Sequence, residues 1–165
     1  MKKKIVLSIV LILAMMFTAC GKSEESSEDT FKVGMEANYA PFNWTQVDDS
    51  NGAVPIKGNA EYAGGYDVEI AKKIAEGLGK ELEIVKIEWD GLVPALTSGK
   101  IDAIIGGMSP TAKRKETIDF SNNYYKSDLV MVVKKGGDYE NASKLSDFSG
   151  AKITAQLNTF HYTVI

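Results

Sequence analysis

The residues whose types and spacing could do chemistry gather in one stretch, Ile101 to Tyr125, IDAIIGGMSPTAKRKETIDFSNNYY. Arg114 is the only arginine among 19 basic residues, the rest being lysines. A guanidinium offers a rigid fork that matches a carboxylate with parallel hydrogen bonds, which a lysine ammonium does not. Just upstream, Gly106 and Gly107 put no side chain between a ligand and the backbone. Ser109 and Thr111 flank Pro110, and a hydroxyl cap followed by proline at the first helical position predicts a short helix. Its free N–H groups would lie beside Arg114, making a seat for a small planar anion. An arginine between Lys113 and Lys115 also fits a solvated helix surface, so residue types alone leave both readings open.

The elements that must position this seat read as an alternation of strands and helices. Ile101, Ala103, Ile104 and Ile105 have the composition of a buried strand, which delivers the glycines at its carboxyl end. In open α/β sheets that is where ligands lie. Phe31 to Met35 alternates and predicts the first strand. Glu36 to Trp44 follows as a loop, with Pro41 setting a turn. Of its aromatic residues, Tyr39 is expected to face the ligand and Phe42 to pack inward. Gln46 to Ala63 is too long and polar for an ordinary connection and predicts a surface insertion or small hairpin.

Val68, Ala71, Ala75 and Leu78 give an apolar stripe at helical spacing, closed by Gly77 and Gly79. Asp67 at its start reads as an N-cap or a structural hydrogen-bonder. Glu81 to Glu88 alternates as a second strand that Trp89 closes. Asp90 is expected to cap a helix over Gly91 to Ser98, with Pro94 in its first turn. By sequence alone Trp89 is equally a core lid or a ligand wall. Further strands are expected over Thr117 to Phe120, Ser127 to Lys134 and Ala151 to Ala155, and a short helix over Lys144 to Phe148.

Composition narrows the function classes. The sole cysteine, Cys20, and the sole histidine, His161, provide no cluster of metal ligands. No nucleophile–base pair is apparent, and no cofactor is implied. His161 reads as a surface or helix-start residue. Lys2 to Lys4, an apolar run from Ile5 to Phe17 and the small residues Thr18 and Ala19 form a secretory signal, residues 1–19, too short for a comfortable membrane span. Subtracting its three lysines from the 19 basic residues leaves 16 against 22 acidic ones, a net charge of −6. That balance argues against nucleic acid as a partner. Residues 20–30 are polar and acidic, with the composition of a flexible tether.

GGMSPTAKRKETIDFSNNYY resembles the carboxylate-binding segment of the polar amino-acid substrate-binding proteins of bacterial ABC importers, family 3 of the solute-binding proteins. GGYDVEIAKKIAEGLG resembles the first helix of that family, and the likeness runs from about Phe31 to the end of the chain. Phe17-Thr18-Ala19-Cys20 resembles a lipobox, with Phe17 where leucine is more usual. The resemblance implies an α/β fold, a periplasmic-binding-protein-like (type II) open sheet. Residues 31–126 would form a nearly complete first lobe, and residues 127–165 the hinge crossover and the start of an incomplete second lobe.

The function so implied is extracytoplasmic capture of a polar or basic amino acid for import. Arg114 would take the α-carboxylate with N–H groups near Ser109 and Thr111, and the Gly107 carbonyl would accept from the α-ammonium. Tyr39 and Trp89 would sandwich the ligand side chain, with Glu36 drawing its cationic or amide end. Gln156-Leu157-Asn158-Thr159 stands where the family has Gln-x-Gly-Thr/Ser; Asn tolerates the positive φ of that glycine, and the Thr159 hydroxyl would reach the carboxylate.

The implied partners are an ABC permease and the outer face of the cell membrane, reached through a lipid on Cys20, with the protein a monomer. Two other readings share the fold: a secreted dehydratase-like enzyme, for which only Glu36 could serve as acid or base, and a ligand-sensing receptor module. The chain reads as an N-terminal portion, expected to bind weakly or not at all by itself.

Overall fold

The computed structural model describes residues 29–165. The signal segment, Cys20 and nearly all of the tether lie outside the described residues.

The central strand is β1 (Thr30–Met35), in which Phe31, Val33, Gly34 and Met35 are buried. It begins one residue earlier than the alternation suggested. β1 lies in the middle of a three-stranded sheet of order β6-β1-β7, formed with β6 (Glu81–Lys86) and β7 (Ala103–Ile104). β7 runs parallel to β1, with Val33 opposite Ala103 and Gly34 opposite Ile104. Ile101 and Ile105 are buried and Ala103 and Ile104 between them half-buried, so the run that announced itself in the sequence is anchored at its two ends. The carboxyl ends of all three strands come together, since the Ile87 N–H donates to the Met35 carbonyl and the Ile105 N–H to the Gly34 carbonyl.

α1 (Tyr66–Leu78) buries Val68, Ala71 and Ala75 along one face against that sheet. It ends where Gly79 adopts a left-handed φ of +66° and its N–H closes onto the Glu76 carbonyl. Its N-cap is Gly65; Asp67 is the second residue of the first turn and is fully buried. The N-cap reading of Asp67 is therefore replaced by the structural one. α2 (Trp89–Thr97) inserts Leu92 and Ala95 into the interior.

A second, antiparallel sheet of order β2-β3-β5-β4 packs at the edge, built from β2 (Asn38–Tyr39), β3 (Asn43–Gln46), β4 (Val54–Pro55) and β5 (Tyr62–Gly64). The loop expected after β1 is thus largely a hairpin, with Tyr39 opposite Asn43. The long polar stretch after it is the hairpin joining β3 to β5, with Trp44 opposite Gly64.

Several expected boundaries move. α2 starts at Trp89, not Gly91, and Asp90 lies in its first turn without capping it. Pro94 accordingly falls mid-helix, where it cannot donate to the Asp90 carbonyl. α3 (Ala112–Lys115) is capped by Thr111, whose hydroxyl accepts from the Arg114 N–H, so Pro110 precedes the helix. A 3-10 turn over Leu145–Phe148 matches the expected short helix. The segments 117–120, 127–134 and 151–155 form no strand. Val130 and Val132 are 78% and 93% exposed. Apolar alternation becomes a strand only where a neighbour supplies ladder partners, and none lies beside them among the described residues. α4 (Phe160–Thr163) ends the described elements.

Candidate functional site

Because the strands end together, the turns that follow them face one another, and a cleft opens among those turns. Glu36, Tyr39, Asn43, Trp89, Gly106, Gly107, Ser109 and Arg114 line one side of it, with Gln156, Thr159, Phe160 and His161 across from them. Sequence reasoning placed six of its eight ligand residues among the first group, and Thr159 among the second. Thr111 is not part of the lining: its hydroxyl caps α3, and its N–H donates to the Ser109 carbonyl.

Arg114 is held on three sides. Its Nη1 donates to the Ser109 carbonyl at 2.8 Å and its Nη2 to the Asn158 carbonyl at 3.0 Å. Its guanidinium carbon lies 5.3 Å from the centre of the Trp89 ring, within cation–π range. Burial pulls its pKa down from the ordinary value, and an arginine remains charged at neutral pH all the same. The N–H groups not spent on these carbonyls are the ones a carboxylate can take. Trp89 lines the cleft, half-buried, with its indole N–H donating to the Asn158 carbonyl at 3.1 Å.

Tyr39 is 45% exposed beside the cleft and stacks on Phe42 with ring centroids 5.2 Å apart. Phe42 does not enter the core: it sits in an aromatic cluster, edge-on to Tyr66 and Tyr125. Gly107 has a φ of +68°, and a Cβ there would touch the Tyr39 ring at 3.4 Å. That contact is an ordinary one, so the glycine is needed for its backbone conformation. Its N–H donates to the Tyr124 hydroxyl at 3.2 Å, and its carbonyl accepts no hydrogen bond among the described residues.

The Glu36 carboxylate accepts from the Gln156 amide at 3.1 and 3.4 Å. Thr159 lines the cleft, but its hydroxyl proton goes to the Gln156 carbonyl at 2.6 Å while its oxygen caps α4. As oriented, then, the hydroxyl is a cap and not a free donor to a ligand.

Two residues, Asn43 and Tyr124, escaped the sequence reading, and a third, Asn158, was read only for the positive φ that it does adopt, +60°. Asn43 is 1% exposed at the cleft wall; its amide donates to Asp67 at 2.7 Å, and its Oδ1 has no partner. Tyr124 links Asp67 to Gly107. Asn158 contributes its side chain as well as its carbonyl, donating to Asp90 at 3.0 Å. Polar residues of this kind carry no periodic signal, and only the fold reveals which are buried. Burial pushes the Asp67 carboxyl above its ordinary range, against the opposing effect of its two donors. Burial, and then the neighbouring Asp67, push the Tyr124 phenol up. No cluster of metal-ligating side chains occurs among the described residues, and none of their helices is long and apolar enough to cross a membrane.

The chain belongs to the bacterial extracellular solute-binding proteins, family 3, which it matches over residues 31–158. It is 32% identical over 96% of its length to the arginine-binding extracellular protein ArtP of Bacillus subtilis (strain 168). With a probable histidine-binding protein of Campylobacter jejuni it shares 34% identity, also over 96% of its length. It spans 57% and 59% of the lengths of these two relatives. Among solved structures it resembles an ancestral arginine-binding protein bound to arginine, with 39% identity and a TM-score of 0.64 over 80% of this chain and 52% of that one. The likeness supports the type II binding-protein fold, here a partial one. All three relatives are described as binding proteins.

Proposed function

We propose that this chain captures a polar or basic amino acid outside the cytoplasm for an ABC importer. One observation carries the reading: the only arginine of the chain faces a cleft at the carboxyl ends of a parallel sheet, fixed by two carbonyls and an indole ring. A cation so restrained loses little freedom when it takes a carboxylate. Beside it the Gly107 carbonyl is available to an ammonium group, and Tyr39 and Trp89 flank the space for a side chain. Glu36 is the one acidic residue lining the cleft, which favours a cationic ligand. The arginine and histidine in the relatives' names agree with that choice.

On this reading residues 31–126 are the first lobe and residues 127–165 lead into the second. A lipid on Cys20 tethers the protein, a monomer, to the outer face of the membrane, where it meets its permease. A binder is favoured over an enzyme of the same fold because Glu36 already accepts from Gln156, and among the described residues no second acid or base, His161 of the cleft lining included, is hydrogen-bonded to it.

The test is a thermal-shift screen of the twenty amino acids on the chain extended through its second lobe, followed by calorimetry on its wild type and Arg114→Lys. Arginine, lysine or histidine should raise the melting temperature. The substitution should weaken binding by roughly tenfold to a hundredfold, the worth of a charged hydrogen-bonded pair. Equal affinity in Arg114→Lys, or no amino acid that stabilises the wild type, would refute the assignment.

A further inference from the structure

Asn158 is the point at which the two ends of the cleft are tied together. Its φ is +60°, in the left-handed region that only Gly, Asn and Asp enter at small cost. That conformation turns its carbonyl toward Arg114 Nη2 at 3.0 Å and the Trp89 indole N–H at 3.1 Å. Its side-chain amide reaches back to Asp90 Oδ1 at 3.0 Å, on the residue that follows Trp89. A glycine at 158 would keep the backbone turn but lose the anchor to Asp90. An aspartate would set two carboxylates against each other, and most other side chains would strain the turn. Asparagine meets both demands.

We propose that Asn158 is a positioning residue for the ligand seat. Its amide ties the 156–159 turn to Asp90, and its carbonyl thereby fixes the Arg114 guanidinium and the Trp89 indole in one relative orientation. The proposal rests on reading the cleft as an amino-acid site and adds to it a specific source of preorganisation. Arginine and tryptophan side chains left to rotate would have to be ordered by the ligand, at the expense of affinity. The Ser109 carbonyl restrains only one end of the guanidinium. Asn158 restrains the other end together with the ring stacked on it.

The experiment uses indole N–H signals in a nitrogen-15 NMR spectrum of the whole chain. There are two tryptophans, Trp44 and Trp89. The Trp44 indole donates to Gln46 at 3.0 Å and serves as the internal reference for an intact fold. Asn158→Gly and Asp90→Ala should each move the Trp89 signal toward that of a free indole and leave the Trp44 signal in place. Each should also weaken binding of L-arginine by roughly threefold to tenfold, the worth of one modest hydrogen bond. The double variant should be no worse than the more affected single one, because both break the same contact. An unmoved Trp89 signal in Asn158→Gly, or losses that add in the double variant, would overturn the proposal even if amino acids bind. A Trp89 signal that moves as described, while no amino acid binds even the chain extended through its second lobe, supports the contact and refutes the amino-acid reading instead.

Discussion

The Tyr124 hydroxyl donates to Asp67 Oδ1 at 2.8 Å while accepting from the Gly107 N–H at 3.2 Å. One phenol thus joins a buried carboxylate in the first turn of α1 to the glycine turn of the cleft. Asn43 completes the arrangement from the other side of Asp67. The start of α1 and the floor of the cleft are therefore one hydrogen-bonded unit, although they are 40 residues apart in sequence (107 minus 67).

Tyr124→Phe should lower stability by about 1.5–3 kcal/mol, the range for a hydrogen bond to a charged group, in urea denaturation monitored by circular dichroism. Gly107 is exposed, so its N–H can turn to water. The loss is expected to fall mainly on Asp67.

Asp67 should also make stability depend on pH. Its folded pKa is raised above the ordinary 3.8, mainly by burial. The folded chain then holds the proton more tightly than the unfolded one, so this contribution is complete below 3.8 and is lost as pH rises through the folded value. Asp67→Asn cannot titrate. The melting temperature of the wild type minus that of Asp67→Asn should therefore be greatest in acid and shrink as pH rises across that interval. A difference that grows with pH would argue that the two donors outweigh burial, and a flat one that they cancel it.

Gly65→Ala should be severely destabilising, by more than about 3 kcal/mol, since backbone strain and overpacking combine there. Gly65 has a φ of +123°, and a Cβ would lie 2.3 Å from the Phe42 carbonyl oxygen, a backbone atom that cannot swing away. A chain that folds normally with alanine at this position would show that the entry to α1 is not fixed by this contact. Circular dichroism melting decides it.

The parts of the fold that could be read from sequence were those written in periodicity. The stripe Val68, Ala71, Ala75 gave α1, and the apolar runs around Val33, Ile84 and Ile104 gave the strands of the main sheet. Gly79 marked a helix end through its backbone freedom. The cleft was legible in outline because Arg114 is unique in the chain and stands shortly after Gly106-Gly107. What the sequence left hidden depended on contacts between distant residues.

Val130 and Val132 have the pattern of a strand, but pairing needs a neighbour that composition does not announce. The cap of α3 moved from Ser109 to Thr111 because both hydroxyls suit the role and only geometry chooses between them. The Asn158 amide reaches Asp90, 68 residues away, and leaves no local trace.

The central claim is that Arg114 takes the carboxylate of a free amino acid. Since it is the only arginine, its side-chain Nε–H gives a single arginine signal in a nitrogen-15 spectrum of the labelled chain. Unlabelled L-arginine or L-histidine should shift that signal in a saturable way, and the corresponding α-carboxamide, which keeps the side chain and the ammonium but lacks the anion, should not. A signal that stays still with the amino acid, or moves equally with its amide, would contradict the account.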